Sequence, residues 1–363
     1  MTDTINTTSG FPLVSPTEIQ DELYRDMALS FYDKTEEDAE LNSLIKVAWK
    51  NRFGSPLNKI LINSTVASMY LHGGPGHGKT TSFKKVAEQL GNDIGLNVLI
   101  NPKKERKIGK DDLLFISHEL SGVNSVVEFG GMPAKKDNHM EKLPNYHFAM
   151  LGSARASVLL LDDFANASPA IQNVALSITN EKRFQELNLG NCYIGVTGNL
   201  GAADNTHTAK LSAALRSRCK NYEVQDELGD YCARAIKNHN DPIADAGLIG
   251  FLRKNPDLFA PKVPAKGSFP CPRTWDLLLN EVRIFVSMEK HKYMNKESAM
   301  MINQHLTRVA EGLVGKEAGR TFGSYFYAMY TGAEPIASEF MQKGQLSKEN
   351  AEKLNNITEN KIY

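Results

Sequence analysis

The chain has 363 residues, and its 42 Lys+Arg balance 42 Asp+Glu, so the formal net charge is zero. With 41% apolar and 23% charged residues, 27 Gly and 15 Pro, the composition excludes collagen-like, low-complexity and largely disordered chains. The length leaves room for roughly two to three domains, and the neutral balance supplies no long-range attraction to nucleic acid or an anionic membrane, though it allows a local basic patch.

Residues 1–16 are rich in Thr, Ser, Asn and Pro and read as a flexible lead-in. They lack a basic start followed by an apolar stretch, so no signal peptide is expected. Helical spacing follows over 17–32 and 36–52, with Leu41, Ile45 and Ala48 on one face. Short apolar runs at 67–72, 96–100, 157–161, 192–197 and 221–224 have strand length, and helix-like stretches such as 80–90 and 169–180 lie between them. Strands alternating with helices predict a parallel sheet covered on both faces. After about 226 the strand signal fades into helical patterns at 231–238, 273–289 and 299–313. Residues 255–272 hold five prolines and read as a loop, and 343–363 are polar, as a helix or a tail. No apolar run approaches the roughly 18 residues of a membrane span. Cys192, Cys219, Cys232 and Cys271 have no CxxC spacing, so reduced thiols are expected rather than a disulfide scaffold or a zinc site. Together these features predict a soluble, cytoplasmic protein without a membrane partner.

The run at 67–72 leads into Gly73-Gly74-Pro75-Gly76-His77-Gly78-Lys79-Thr80, followed by Thr81, which matches G-x-x-x-x-G-K-[ST]. Glycines let backbone N–H groups turn inward around a phosphate without Cβ clashes. Lys79 can reach the β- and γ-phosphates of ATP, and the Thr80 hydroxyl can ligate Mg²⁺. A helix starting here aims its positive end at the same anion. Val158-Leu159-Leu160-Leu161-Asp162-Asp163 is a buried-type strand ending in two carboxylates. Asp162 suits the Mg²⁺ shell. Asp163 suits a general base toward water, or alternatively a cap on the following turn.

Read together, these pieces resemble an AAA+ ATPase, specifically the MoxR-type branch found in bacteria and their phages. Asn166-Ala167-Ser168-Pro169-Ala170-Ile171-Gln172-Asn173 is similar to the stretch that follows the branch's acidic pair. Glu128-Phe129-Gly130-Gly131-Met132-Pro133 resembles its "D-L-x-G-x-P" segment in a ring-facing insertion. Gly198-Asn199-Leu200 resembles the sensor-1 turn, Leu215-Arg216-Ser217-Arg218-Cys219 the arginine-finger position, and Pro272-Arg273-Thr274-Trp275 the opening of the sensor-2 helix. The resemblance covers about 60–290. It implies an α/β P-loop AAA+ core over 45–225, its parallel sheet flanked by helices. An all-helical lid over 226–335 would follow, with an N-terminal extension over 1–44, flexible then helical, and a polar tail over 336–363.

The same resemblance implies that Asn199 helps to hold the attacking water. Arg273 would reach the nucleotide from the lid, and Arg218, preferred over Arg216, would act on a neighbouring subunit's nucleotide. It further implies a homo-oligomeric ring, typically a hexamer, and a protein client, in this branch often one with a von Willebrand A-type domain. One departure stands out: the branch carries Glu where this chain has Asp163, one methylene shorter.

The basic stretch Lys103-Lys104-Glu105-Arg106-Lys107 with Lys110 could meet nucleic-acid phosphates, but a solvated loop is preferred. His118-Glu119 does not continue to a second His at zinc-protease spacing. The leading expectation is a Mg-ATP-hydrolysing remodeller of a partner protein. The alternatives are a DNA-acting AAA+ ATPase such as a helicase loader, a small-molecule P-loop kinase, and an ATP-gated scaffold with weak hydrolysis.

Overall fold

The computed structural model describes residues 10–184, 187–201, 213–237, 241–264, 266–290, 298–343, 347–349 and 352. Residues 1–9 of the expected lead-in, Asn238 at the end of an expected helix, and most of the expected tail lie outside these described residues. The chain divides into two compact units, Met1–Gln225 and Asp226–Tyr363.

The first unit runs β1 (Leu13–Val14), α1 (Ile19–Phe31), α2 (Ala39–Phe53), α3 (Lys59–Asn63), β2 (Ser68–His72), α4 (Lys79–Asp93), β3 (Asn97–Ile100) and β4 (Asp112–Glu119). It continues with α5 (Val126–Gly130), β5 (Met132–Lys136), β6 (His139–Leu143), α6 (Tyr146–Ser153), β7 (Ala156–Asp162) and α7 (Pro169–Glu181). Then come β8 (Arg183–Phe184), β9 (Leu187–Asn188), β10 (Cys192–Gly198), α8 (Ala213–Arg216) and β11 (Cys219–Val224). Seven strands form one parallel sheet in the order β1-β11-β2-β10-β7-β4-β3. The segment Glu128–Pro133 leads into an antiparallel hairpin of β5 and β6.

The period-2 alternation of a strand explains the two buried layers. On β7, Val158 and Leu160 join the core that holds α1, α2 and α4 side chains, whereas Leu159 and Leu161 face the core built with Phe129, Phe148 and Ile171. Both faces are therefore apolar, as a sheet covered by helices requires.

Two sequence expectations change here. The flexible lead-in over 1–16 gives way to a strand at Leu13–Val14, because the Val14 carbonyl accepts from Gln225 N (3.1 Å) and the Pro12 carbonyl from Glu223 N (2.8 Å). Likewise, α1 is not a mere extension ahead of a core that begins at 45. Leu23, Tyr24, Met27 and Phe31 are all fully buried, and the Tyr24 hydroxyl donates to Asp93 at the end of α4 (2.7 Å). On another face of α1, Glu22 accepts from Lys220 (3.0 Å) and from the Tyr222 hydroxyl (2.9 Å) of β11.

The second unit comprises α9 (Leu228–Lys237), α10 (Pro242–Lys254), α11 (Pro272–Lys290), α12 (Ser298–Val314) and α13 (Lys316–Lys343). Trp275 sits fully buried against Phe251 and Phe322, and its indole N–H donates to the Phe259 carbonyl (2.9 Å). Arg283 reaches the buried Asp245 across α10 and α11 (2.7 Å). The expected polar tail from 336 instead begins inside α13, which stays helical to Lys343. Among the described residues no helix is long and apolar enough to cross a membrane.

If α1 belongs to the core, Leu23→Ala leaves a cavity under the sheet and lowers stability by about 2–5 kcal/mol. Urea unfolding reads this loss; a change under about 0.5 kcal/mol, the usual range for surface substitutions, would make α1 an appendage.

Candidate nucleotide-binding site

The site forms where β2, β7 and β10, adjacent in the sheet, reach their C-terminal ends. This is the edge at which open parallel sheets bind ligands. After His72 the chain turns sharply through Gly73 to Gly78 and enters α4 at Lys79. A Cβ on Gly73 would lie 2.5 Å from the Val224 carbonyl oxygen, so only glycine lets the loop pass the end of β11. Gly78 caps α4 with φ +81° and supplies no side-chain hydrogen bond, so the first amides of the helix keep their donors directed at the loop.

The Lys79 ammonium spans the loop, donating to the carbonyls of Gly73 (2.7 Å) and Gly74 (2.8 Å) and to Asn199 Oδ1 (3.2 Å). Thr80 Oγ1 donates toward the Asp162 carboxylate, 3.0 Å from each oxygen. Asp162 also accepts from the Thr197 hydroxyl and from the Asp163 amide (3.2 Å). The Asp163 amide lies equally close to Thr197 Oγ1, which it approaches at 3.1 Å. Asp163 itself adopts φ +56°, and its Oδ1 accepts from Asn166 Nδ2 (2.7 Å) and Asn199 Nδ2 (3.3 Å).

The structure therefore brings together the loop Gly73, Gly74, Pro75, Gly76, His77, Gly78, Lys79, Thr80 and Thr81 with Asp162, Asp163 and Asn199. A hydroxyl and a carboxylate, both hard oxygen donors, fit Mg²⁺, and the glycine turn with its uncapped helix end fits a phosphate chain. Arg218 lies outside this cluster: it is exposed just after α8, with its guanidinium on the Ala214 carbonyl (2.8 Å). Arg216 is also exposed. Arg273 is exposed at the second position of α11, in the second unit.

Two residues of the cluster, Thr197 and Asn166, carry no site signal of their own in the sequence. In the sequence, Thr197 is only the end of a strand and Asn166 only part of a resemblance. A hydroxyl or amide carries no pattern until its partner is placed, although a polar residue at a strand's end beside Gly198-Asn199 was the available signal.

Residues 68–219 match the family model described as AAA domain (dynein-related subfamily). The fold is AAA+. Its α/β P-loop core is followed by a helical region that corresponds to the lid. No curated protein sequence matches the chain. Similar solved structures include S. cerevisiae Hsp104 in complex with casein, at 17% identity and a TM-score of 0.41, covering 77% of this chain and 49% of that one. A RuvB mutant from Thermotoga maritima is similar at 17% identity and a TM-score of 0.38, covering 83% and 75% respectively. This chain thus spans about half the length of the Hsp104 chain.

One histidine precedes the loop and another lies within it. His72 is buried in an aromatic stack between Tyr70 (3.9 Å) and Phe11 (4.4 Å), with Nε2 3.1 Å from Asn221 Oδ1. Burial pushes its pKa down to about 4, and burial followed by the Lys79 charge does the same to His77. Both are neutral in the folded chain at pH 7, whereas an unfolded imidazole gains its proton near pH 6.5. Their contribution to stability is whole above about pH 6.5 and is lost as pH falls toward 4. Between pH 7 and 5.5 the wild type loses about 1 kcal/mol through His72. Urea midpoints at the two pH values should reveal a smaller drop in His72→Gln; equal drops would refute the assignment.

Proposed function

We propose that this chain is an ATPase that binds and hydrolyses Mg-ATP at the Gly73–Thr81 loop and uses the cycle to remodel a protein partner as a ring of identical subunits. The observation that carries the reading is the continuous hydrogen-bonded set running from Lys79 through Asn199 to Asp163, beside the Thr80–Asp162 pair. Phosphoryl transfer to water needs neutralised non-bridging oxygens and a nucleophile held in line. Lys79 meets the first need from inside the loop. Thr80 and Asp162 would hold Mg²⁺, which when bound neutralises charge on the phosphate oxygens. Asn199 and Asp163, joined by a hydrogen bond, orient the attacking water.

Arg218 is exposed, and among the described residues its guanidinium bonds a backbone carbonyl, which leaves its charge available to the phosphates of an adjacent subunit. For Arg273, exposed at the second position of α11, the resemblance implies a reach to the nucleotide from the lid, which would couple nucleotide state to lid position. The motif resemblance extends this to a MoxR-type machine, a hexamer whose client carries a von Willebrand A-type domain. A cytoplasmic location, in the host if the source is viral, belongs to the same reading. Nucleic acid is less favoured as a partner, since Arg106 of the basic stretch lies 3.8 Å from Asp112. A second reading, an ATP-gated scaffold with slow turnover, draws on Asp163, whose short carboxylate is engaged by Asn166.

ATPase rate per subunit measured against protein concentration separates these readings. A shared-site ring predicts a rate that rises with assembly, and an Arg218→Ala variant slower by about 10³-fold with nucleotide affinity retained. A concentration-independent rate, untouched by Arg218→Ala, would remove the shared site.

A further inference from the structure

We propose that Glu119, at the end of β4, is the carboxylate that accepts the proton of the attacking water, a role that rests on the reading of this chain as an ATPase. β4 and β7 run parallel and pair residue for residue from Leu113 with Ala156 to Glu119 with Asp162. Directly paired residues on neighbouring strands project to the same face, with backbones about 4.8 Å apart. The apolar pairs confirm which face is which. Phe115 and Val158 lie in the core under α4, whereas Ile116 and Leu159 lie in the opposite core. Two residues per step carries this to the strand ends, where Glu119 and Asp162 leave the sheet side by side on the α4 face, the face of Thr80.

Asp162 is thus flanked by Thr197 from β10 on one side and by Glu119 from β4 on the other. The three carboxylates at this edge differ in how far they are committed. Asp162 accepts from Thr80, Thr197 and the Asp163 amide. Asp163 is short, stands on a left-handed backbone, and receives two amide donors on one oxygen. Glu119 is exposed, forms no ion pair among the described residues, and accepts only a 3.3 Å contact from Ser121 Oγ. It has the longest side chain of the three and the fewest ties, so it can swing over Asp162 toward a water that Asn199 and Asp163 position. Its extra methylene restores the reach that Asp163 lacks.

In the step assigned to it, the water oxygen bonds to the γ-phosphorus as the bond from phosphorus to the β–γ bridging oxygen breaks. The bonding pair leaves with ADP, and the water proton passes to the Glu119 carboxylate. Solvent, which reaches this exposed side chain, then takes the proton away.

The test measures kcat, ATP affinity and the Mg²⁺ concentration for half-maximal rate in wild type, Glu119→Gln, Asp163→Glu and the double variant. Loss of a general base predicts that Glu119→Gln lowers kcat by about 10²-fold or more, with ATP affinity and Mg²⁺ requirement unchanged. In the Asp163→Glu background, where a longer carboxylate stands at 163, the same change should cost less than about tenfold in kcat, below the usual general-base range. Three results would overturn the role: a kcat unchanged by Glu119→Gln, an equal loss in both backgrounds, or a loss cured by added Mg²⁺. Wild-type protein that binds ATP without turning it over would instead defeat the hydrolysis reading, and the role of Glu119 with it.

Discussion

The site depends on one carboxylate. Asp162 gathers the hydroxyls of Thr80 and Thr197 and the amide of Asp163, so three segments far apart in sequence end on a single pair of oxygens. Hydrogen bonds to an ionised acceptor are the stronger kind, and here they fix the first turn of α4 against the ends of β7 and β10. The parallel order of β2, β10 and β7 makes this possible, because it delivers a glycine loop, an amide and two acids to one edge. Lys79 then closes the arrangement through Asn199, which bonds the ammonium with its oxygen and Asp163 with its nitrogen.

The parts of the fold legible in the sequence are those whose signal is local. The glycine loop, the Val158–Leu161 run and its acids, and the helix after Ser168-Pro169 announce themselves by residue type and order. Ser168 caps that helix through its side chain, with Pro169 at its first position. By contrast, β4 carries no clear strand signal, because its apolar centre at 113–116 is short and its ends, Asp112 and Glu119, are charged. Its strand identity comes from pairing with β3 and β7. The same holds for Leu13–Val14, a strand only because β11 offers it an edge. In the second unit, α10 and α13 are not legible as helices, since glycines at 247, 250, 319 and 323 blur the helical signal. Their neighbours show why small residues are needed there: a Cβ on Gly323 would lie 2.1 Å from Thr307 Oγ1, and one on Gly319 2.3 Å from Glu311 N.

The candidate site divides along the same line. Residues that belong to a motif can be named from the sequence, whereas Thr197, Asn166 and Glu119 gain meaning only from the strand or turn beside them. The exposed arginines form a third class. Arg218 and Arg273 are both exposed, and a solvated guanidinium adds little to the stability of its own chain. Their chemistry is realised only against an anion: the proposal gives Arg218 the phosphates of an adjacent subunit and has Arg273 approach from the lid.

The central claim is that the Gly73–Thr81 loop and its Asp162 clasp form a nucleoside-triphosphate site. Calorimetric titration of Mg-ATP into wild type and Lys79→Ala tests it most directly. The account predicts saturable binding of one nucleotide per chain in wild type, weakened by about 100-fold, or roughly 2.7 kcal/mol, in Lys79→Ala. Absence of saturable binding in wild type, or equal affinity in the two proteins, would contradict it.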